Sequence, residues 1–201
     1  MKKLLFASLT FIGSIHSTIF DEIINGKIEN LKDFNNEVNS FHLGYTPLML
    51  AVNLEKLDIA EQLINLGADV DAEGQGHIKE KTALMLAADS GLLDVVRLLI
   101  ENGANVNKAT SRNGTAIMNA AAAGAADVAK LLIDNGANVN AQSLSGRTPL
   151  MYAAAKGDKD TVNKLLENGA DVKSVSPQYG TALSVATNNE IKDILARAAA
   201  Q

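Results

Sequence analysis

Proton transfer and metal ligation at neutral pH fall first to histidine, and this sequence holds three: His16, His42 and His77. His16 lies in an N-terminal leader-like stretch. His42 and His77 each stand in a polar stretch a few residues before a threonine, Thr46 and Thr82. That pair is the only candidate metal site. It is the basis of one alternative, a small metal-dependent hydrolase on a repeat scaffold, and solvent-exposed histidines are the simpler reading. Cysteine is absent, which removes disulfides, thiolate metal sites, a cysteine nucleophile and a lipid-carrying N-terminus. Gly74-Gln75-Gly76 lacks a third glycine and follows no expected parallel strand, so it is not a dinucleotide loop. Asp94, Asp127 and Asp160 read as favourable charge near helix N-termini, not as catalytic acids. Asn113-Gly114-Thr115 matches a glycosylation acceptor, but Thr115 is needed as a helix cap. No Ser/His/Asp arrangement clusters. The expectation is a chain that is not an enzyme and takes no cofactor and no metal.

Composition narrows the partners. Lys and Arg total 18 against 23 Asp and Glu, a net charge of −5. An acidic chain is not a general nucleic-acid binder. Five Phe, three Tyr and no Trp are too few for base-stacking platforms. A 47% hydrophobic fraction with 20% charged residues describes a folded chain rich in Ala, Leu, Val and Ile.

The elements that position any site come from self-similarity. Thr46-Pro47-Leu48-Met49 returns as Thr82-Ala83-Leu84-Met85, Thr115-Ala116-Ile117-Met118, Thr148-Pro149-Leu150-Met151 and Thr181-Ala182-Leu183-Ser184. The threonines are spaced 36, 33, 33 and 33 residues apart. A second mark keeps step: Gly67-Ala68-Asp69-Val70, Gly103-Ala104-Asn105-Val106, Gly136-Ala137-Asn138-Val139 and Gly169-Ala170-Asp171-Val172. Each threonine suits an N-cap, and proline after it suits the first helical turn. Gly91, Gly124 and Gly157 mark a turn into a second helix. Pairs such as Val95/Val96 with Leu99/Ile100 form one helical stripe. Helices of about eight to ten residues are marginal alone, so neighbours must stack to bury these stripes.

Thr-Pro-Leu-x-x-Ala-Ala and Gly-Ala-(Asp/Asn)-Val-Asn at a 33-residue period resemble ankyrin repeats. The resemblance covers residues 18–201 and implies an all-α repeat solenoid of helix-turn-helix pairs joined by β-hairpin-like loops. Four full repeats are expected at 41–73, 77–109, 110–142 and 143–175. Degenerate capping repeats are expected at 18–40, with Asn25-Gly26 in the turn and Ile28, Leu31 and Phe34 in a second-helix stripe, and at 176–201. Three departures stand out. Met49, Met85, Met118 and Met151 replace the usual histidine, read as inter-repeat packing in preference to a promiscuous binding face. Glu55 stands where later turns carry glycine. The loop from Asp71 to Lys81 is three residues longer than its counterparts and is expected to form a longer, mobile finger.

The resemblance implies a protein partner bound along a concave face of hairpin tips and first helices. Tip candidates are His42, Leu43 and Tyr45; Lys79 and Lys81; Ser111 and Arg112; Leu144 and Arg147; Gln178 and Tyr179. First-helix candidates include Asn53, Asp89 and Lys156, with a shallow trough at Ala120 to Ala123. Tyr45, Arg112, Arg147 and Tyr179 are the expected anchors, since Tyr and Arg dominate interface hot spots. The loops 107–114, 140–147 and 173–180 hold Lys108, Arg112, Arg147 and Lys173 and no acids. That basic edge suits an acidic patch on a partner.

Met1-Lys2-Lys3, an apolar run to Ile12 and small residues around Ser14 and Ser17 have the layout of a secretory signal peptide. The run is too short to span a bilayer, which takes about 20 residues. Residues 1–17 are expected to be cleaved near Ser17, leaving 18–201 as one ankyrin-repeat domain. That loss removes two lysines and no acid, taking the charge to −7. The expected product is a monomer in the periplasm or the medium, with no membrane association after cleavage. A membrane-anchored adaptor that keeps residues 1–17 is the other alternative.

Overall fold

The computed structural model describes residues 18–26 and 36–201. The expected leader and the stripe at Ile28, Leu31 and Phe34 lie outside the described residues. Helix α1 (Ile19–Asn25) precedes five helix pairs: α2 (Pro47–Asn53) with α3 (Leu57–Asn65), α4 (Ala83–Ser90) with α5 (Leu93–Glu101), α6 (Ala116–Ala123) with α7 (Ala126–Asp134), α8 (Pro149–Lys156) with α9 (Lys159–Glu167), and α10 (Ala182–Val185) with α11 (Asn189–Ala199). Among the described residues there is no strand. The hairpin-like loops carry single β-bridges: His42 with Tyr45, Ala109 with Thr115, and Ser176 with Gly180.

First helices stack in one row, α1 through α2, α4, α6 and α8 to α10, and second helices in another, α3 through α5, α7 and α9 to α11. Each first helix is packed on several sides, which explains its alanines. Ala87, Ala88, Ala120, Ala121, Ala153 and Ala154 are fully buried, and a larger side chain would hold the neighbours apart. The expected trough therefore shrinks to Ala122 and Ala123, since Ala120 and Ala121 are inside the stack. Leu63, Leu99, Leu132 and Leu165 are fully buried at one position of successive second helices. Each contributes roughly 2 kcal/mol through burial. Met49, Met85, Met118 and Met151 are buried as well, so the column packs between neighbours and is closed to a partner.

Thr46, Thr82, Thr148 and Thr181 each accept a hydrogen bond from the N–H three residues on. Thr115 breaks the rule: its hydroxyl is buried, caps nothing and has no partner. Gly91, Gly124 and Gly157 end their helices in the left-handed region at φ 70, 76 and 81°. Glu55 takes the same conformation at φ 59°, which costs a residue with a Cβ about 1–2 kcal/mol.

A ladder of side-chain amides joins the loops that follow the second helices. Asn39 donates to Gly67 C=O at 3.1 Å and accepts from Asp69 N–H at 2.8 Å. Asn107 does the same with Gly136 and Asn138, and Asn140 with Gly169 and Asp171. Asp71 takes the corresponding place between Asn39 and Asn107. Its carboxylate accepts from Asn105 N–H at 3.0 Å but has no donor for the glycine carbonyl.

Candidate protein interface

The hairpin loops form five fingers: 41–46, 74–82, 109–115, 143–148 and 176–181. Each is tied to the next by at least one hydrogen bond. Gln75 N–H donates to Gly44 C=O at 2.9 Å. Ser111 N–H donates to the Glu80 carboxylate. Leu144 N–H donates to Arg112 C=O at 2.8 Å. The Ser176 hydroxyl donates to Ser145 C=O at 2.7 Å. The fingers thus form one continuous edge. Hydrogen bonding from Ser111, helped by the Lys79 charge, holds the Glu80 carboxyl below its ordinary value.

The second finger is not the mobile extension its length suggests. Residues Gly76–Ile78 form a 3-10 turn, Ile78 is 6% exposed, and Gly74 exchanges bonds with Lys81 and Glu80. The extra residues are used to bury an isoleucine and satisfy the backbone.

Tyr45 is corrected from exposed anchor to core. It is 8% exposed, its ring is tilted against His77 at 5.4 Å, and burial raises its phenol pKa. His42 lies against Phe20 at 5.2 Å. The two histidines therefore pack on different rings, and the described residues hold no group of three His, Cys, Asp or Glu able to hold a metal. Lys79 is exposed, 3.5 Å from Glu80. Lys81 is half-buried on the second finger. Asn53 is half-buried, Asp89 is exposed, and the Lys156 stem lies across Gly124. These residues are spread along the stack, and none of them lines the groove described next.

Four candidates do converge. Arg112, Leu144, Gln178 and Tyr179, from three successive fingers, line a groove of about 560 Å³ together with Tyr152 of α8. Leu144 is 70% exposed and Tyr179 38%. Arg147 stands beside the groove, its guanidinium 4.1 Å from the Tyr152 ring centroid and 4.4 Å from that of Tyr179. Such contacts contribute about 0.5–2 kcal/mol each. Its Nε is buried without a hydrogen-bond partner. Tyr152 is absent from the sequence-based candidates. Its signal was there: the residue four past the threonine is Leu50, Leu86, Asn119, Tyr152 and Val185 in successive first helices, and only here is it aromatic.

The basic edge is thinner than its loops suggest. Lys108 pairs with Glu73 at 3.1 Å and donates to Asp71 C=O. Lys173 neighbours Asp171, whose carboxyl is held low by the Ser174 hydroxyl and the Lys173 N–H. Among the described residues Arg112 and Arg147 have no carboxylate within ion-pair distance. These two arginines meet at one groove, Arg112 in its lining and Arg147 against two of its tyrosines.

A stack of short helix pairs that share one buried core and display tied loops along one side is the architecture of a repeat solenoid. A family described as ankyrin repeats in three copies matches residues 13–110 and again 106–176, most of the chain. The chain belongs to the ankyrin-repeat family, whose repeats are protein–protein interaction modules. Comparison with curated proteins finds no match.

Proposed function

We propose that this chain is a non-enzymatic, monomeric scaffold that is exported through residues 1–17 and binds a protein partner in the periplasm or the medium. The observation that carries the binding reading is the finger edge. Its loops are tied to one another before any partner arrives, so docking orders little chain and loses little entropy. The groove at Arg112, Leu144, Tyr152 and Tyr179 is where that edge offers shape, exposed apolar surface and unpaired charge together. The export reading rests on Lys2-Lys3 and the apolar run that follows. Among the described residues no helix is long and apolar enough to cross a membrane. Crosslinking in the native cell, then mass spectrometry of what copurifies, tests the scaffold reading. The expected result is a discrete partner whose crosslinks map to the fingers; crosslinks confined to the second helices overturn it. N-terminal sequencing tests export: a start near Thr18 supports cleavage, and a start at Met1 favours the membrane-anchored adaptor.

A further inference from the structure

We infer that the groove between the third, fourth and fifth fingers takes an extended acidic segment of a partner, its carboxylate set against Arg112 and an apolar side chain seated beside Leu144 and Tyr179. This rests on the scaffold reading above and gives its ligand a chemistry.

Charge is the first argument. The groove lining contains Arg112 and no Asp or Glu. Lys108, Lys130, Lys159 and Lys164 each face a carboxylate from a neighbouring repeat. Arg112 and Arg147 do not. In a chain of net −5, a groove that holds Arg112 beside Arg147 and no acid in its lining attracts a carboxylate and repels a basic partner.

Arg147 is the second argument. It is not itself a lining residue. Its guanidinium lies against the rings of Tyr152 and Tyr179, which are lining residues, and its Nε has no hydrogen-bond partner. The tyrosines fix this cation in place without neutralising it. It therefore raises the potential of the groove at a set position, while Arg112, exposed on the neighbouring finger, offers its planar fork to a carboxylate.

Extent is the third argument. Arg112 and Tyr179 sit two repeats apart, and packed helices lie about 8–10 Å from each other. The groove therefore runs roughly 20 Å, the length of about six extended residues. That length suits a segment passing across the fingers better than a single terminal carboxylate. The overall acidity of the chain favours such a peptide over a nucleic-acid strand, which would bring many more negative charges than two arginines can meet.

The test uses the full chain and a fluorescent, amidated octapeptide alternating glutamate with leucine, read by anisotropy. Its partner probes are the same peptide with glutamine for glutamate and a single-stranded oligothymidylate. The glutamate peptide is expected to bind about tenfold more tightly than the glutamine peptide, and to weaken as salt is raised. Arg112→Gln is expected to remove that discrimination, and Lys192→Gln on exposed α11 to leave it unchanged. Arg147→Lys keeps the charge and loses the planar contact, so it weakens binding less than Arg147→Gln; circular dichroism melts confirm that both fold. Equal binding of the two peptides overturns the inference, as does tighter binding of oligothymidylate. The scaffold reading fails separately. If native crosslinked partners are recovered equally by the parent chain and by Arg112→Gln, only the acidic-segment inference falls.

Discussion

The junction between the first two full helix pairs and the later junctions are built from the same parts, yet they differ at three points. In the first, Glu55 occupies a left-handed turn, Asp71 interrupts the amide ladder, and the finger is lengthened. In the later ones, Gly124 and Gly157 hold the turns, Asn107 and Asn140 carry the ladder, and the spacing is a regular 33 residues. Ion pairs are most frequent among the last three helix pairs. Lys130 with Asp160, Lys164 with Asp134 and Lys159 with Glu190 link α7, α9 and α11 across repeats. The only inter-repeat ion pair at the early junction is Lys108 with Glu73 among the described residues. Regular spacing and the closest ion pairing thus coincide at the C-terminal end of the stack, where the candidate groove sits. Rigid presentation of a binding surface asks for that placement.

Six substitutions probe the two regions, from the largest effect to the smallest. Gly44→Ala should be the most damaging. Gly44 has φ 88°, and a Cβ there would overlap the Gln75 carbonyl oxygen. A loss of about 3 kcal/mol is expected. Gly146→Ala, at φ 75° with its nearest neighbour Pro177 Cδ 3.0 Å away, should lose only about 1–2 kcal/mol. Urea unfolding of both variants reads the difference, and equal losses would erase the contrast between these finger junctions. Glu55→Gly should stabilise by about 1 kcal/mol by relieving the left-handed residue, seen as a rise in Tm. No rise would mean that the early turn carries no strain.

The ladder gives a paired test. Asp71→Asn restores the missing donor to the glycine carbonyl and should add about 0.5–1 kcal/mol, while Asn107→Asp removes one and should subtract as much. Opposite signs in thermal melts are the expected outcome. The smallest effect concerns Glu80, which joins the second and third fingers. Its carboxyl is held low by Ser111, so the tie is fully present above the ordinary glutamate value and is lost as pH falls through the lower folded-state value. Protection of the Ser111 amide, taken relative to its intrinsic exchange rate at each pH, should fall there, and in Glu80→Gln that loss of protection should vanish.

Most of the fold was legible because each repeat repeats its own punctuation. Thr148, Gly157 and Leu165 declare cap, turn and stripe by local spacing alone. Thr115 wears the same signature and fails as a cap; its φ of −122° departs from the −78 to −96° of the threonines that do cap. The candidate groove was legible in part. Arg112, Leu144, Gln178 and Tyr179, chosen because finger tips are exposed by topology, line one groove. Tyr45 was misplaced because its burial depends on His77, a residue of the next finger. Lys108 looked free because its acid, Glu73, lies 35 positions earlier. In a solenoid the decisive neighbour is one period away. Pairing each charged or aromatic residue with positions about 30–36 residues distant exposes Glu80 with Ser111 and Lys159 with Glu190.

The methionine column has a chemical corollary. Met49, Met85, Met118 and Met151 are between 0 and 3% exposed, so peroxide cannot reach their sulfur atoms while the stack is closed. Conversion to sulfoxide would place a polar, chiral group where neighbouring repeats meet. The four thioethers are thus evenly spaced recorders of opening along the chain. The order in which they oxidise reports which repeats separate first, and the irregular early junction should place Met49 and Met85 ahead of Met118 and Met151.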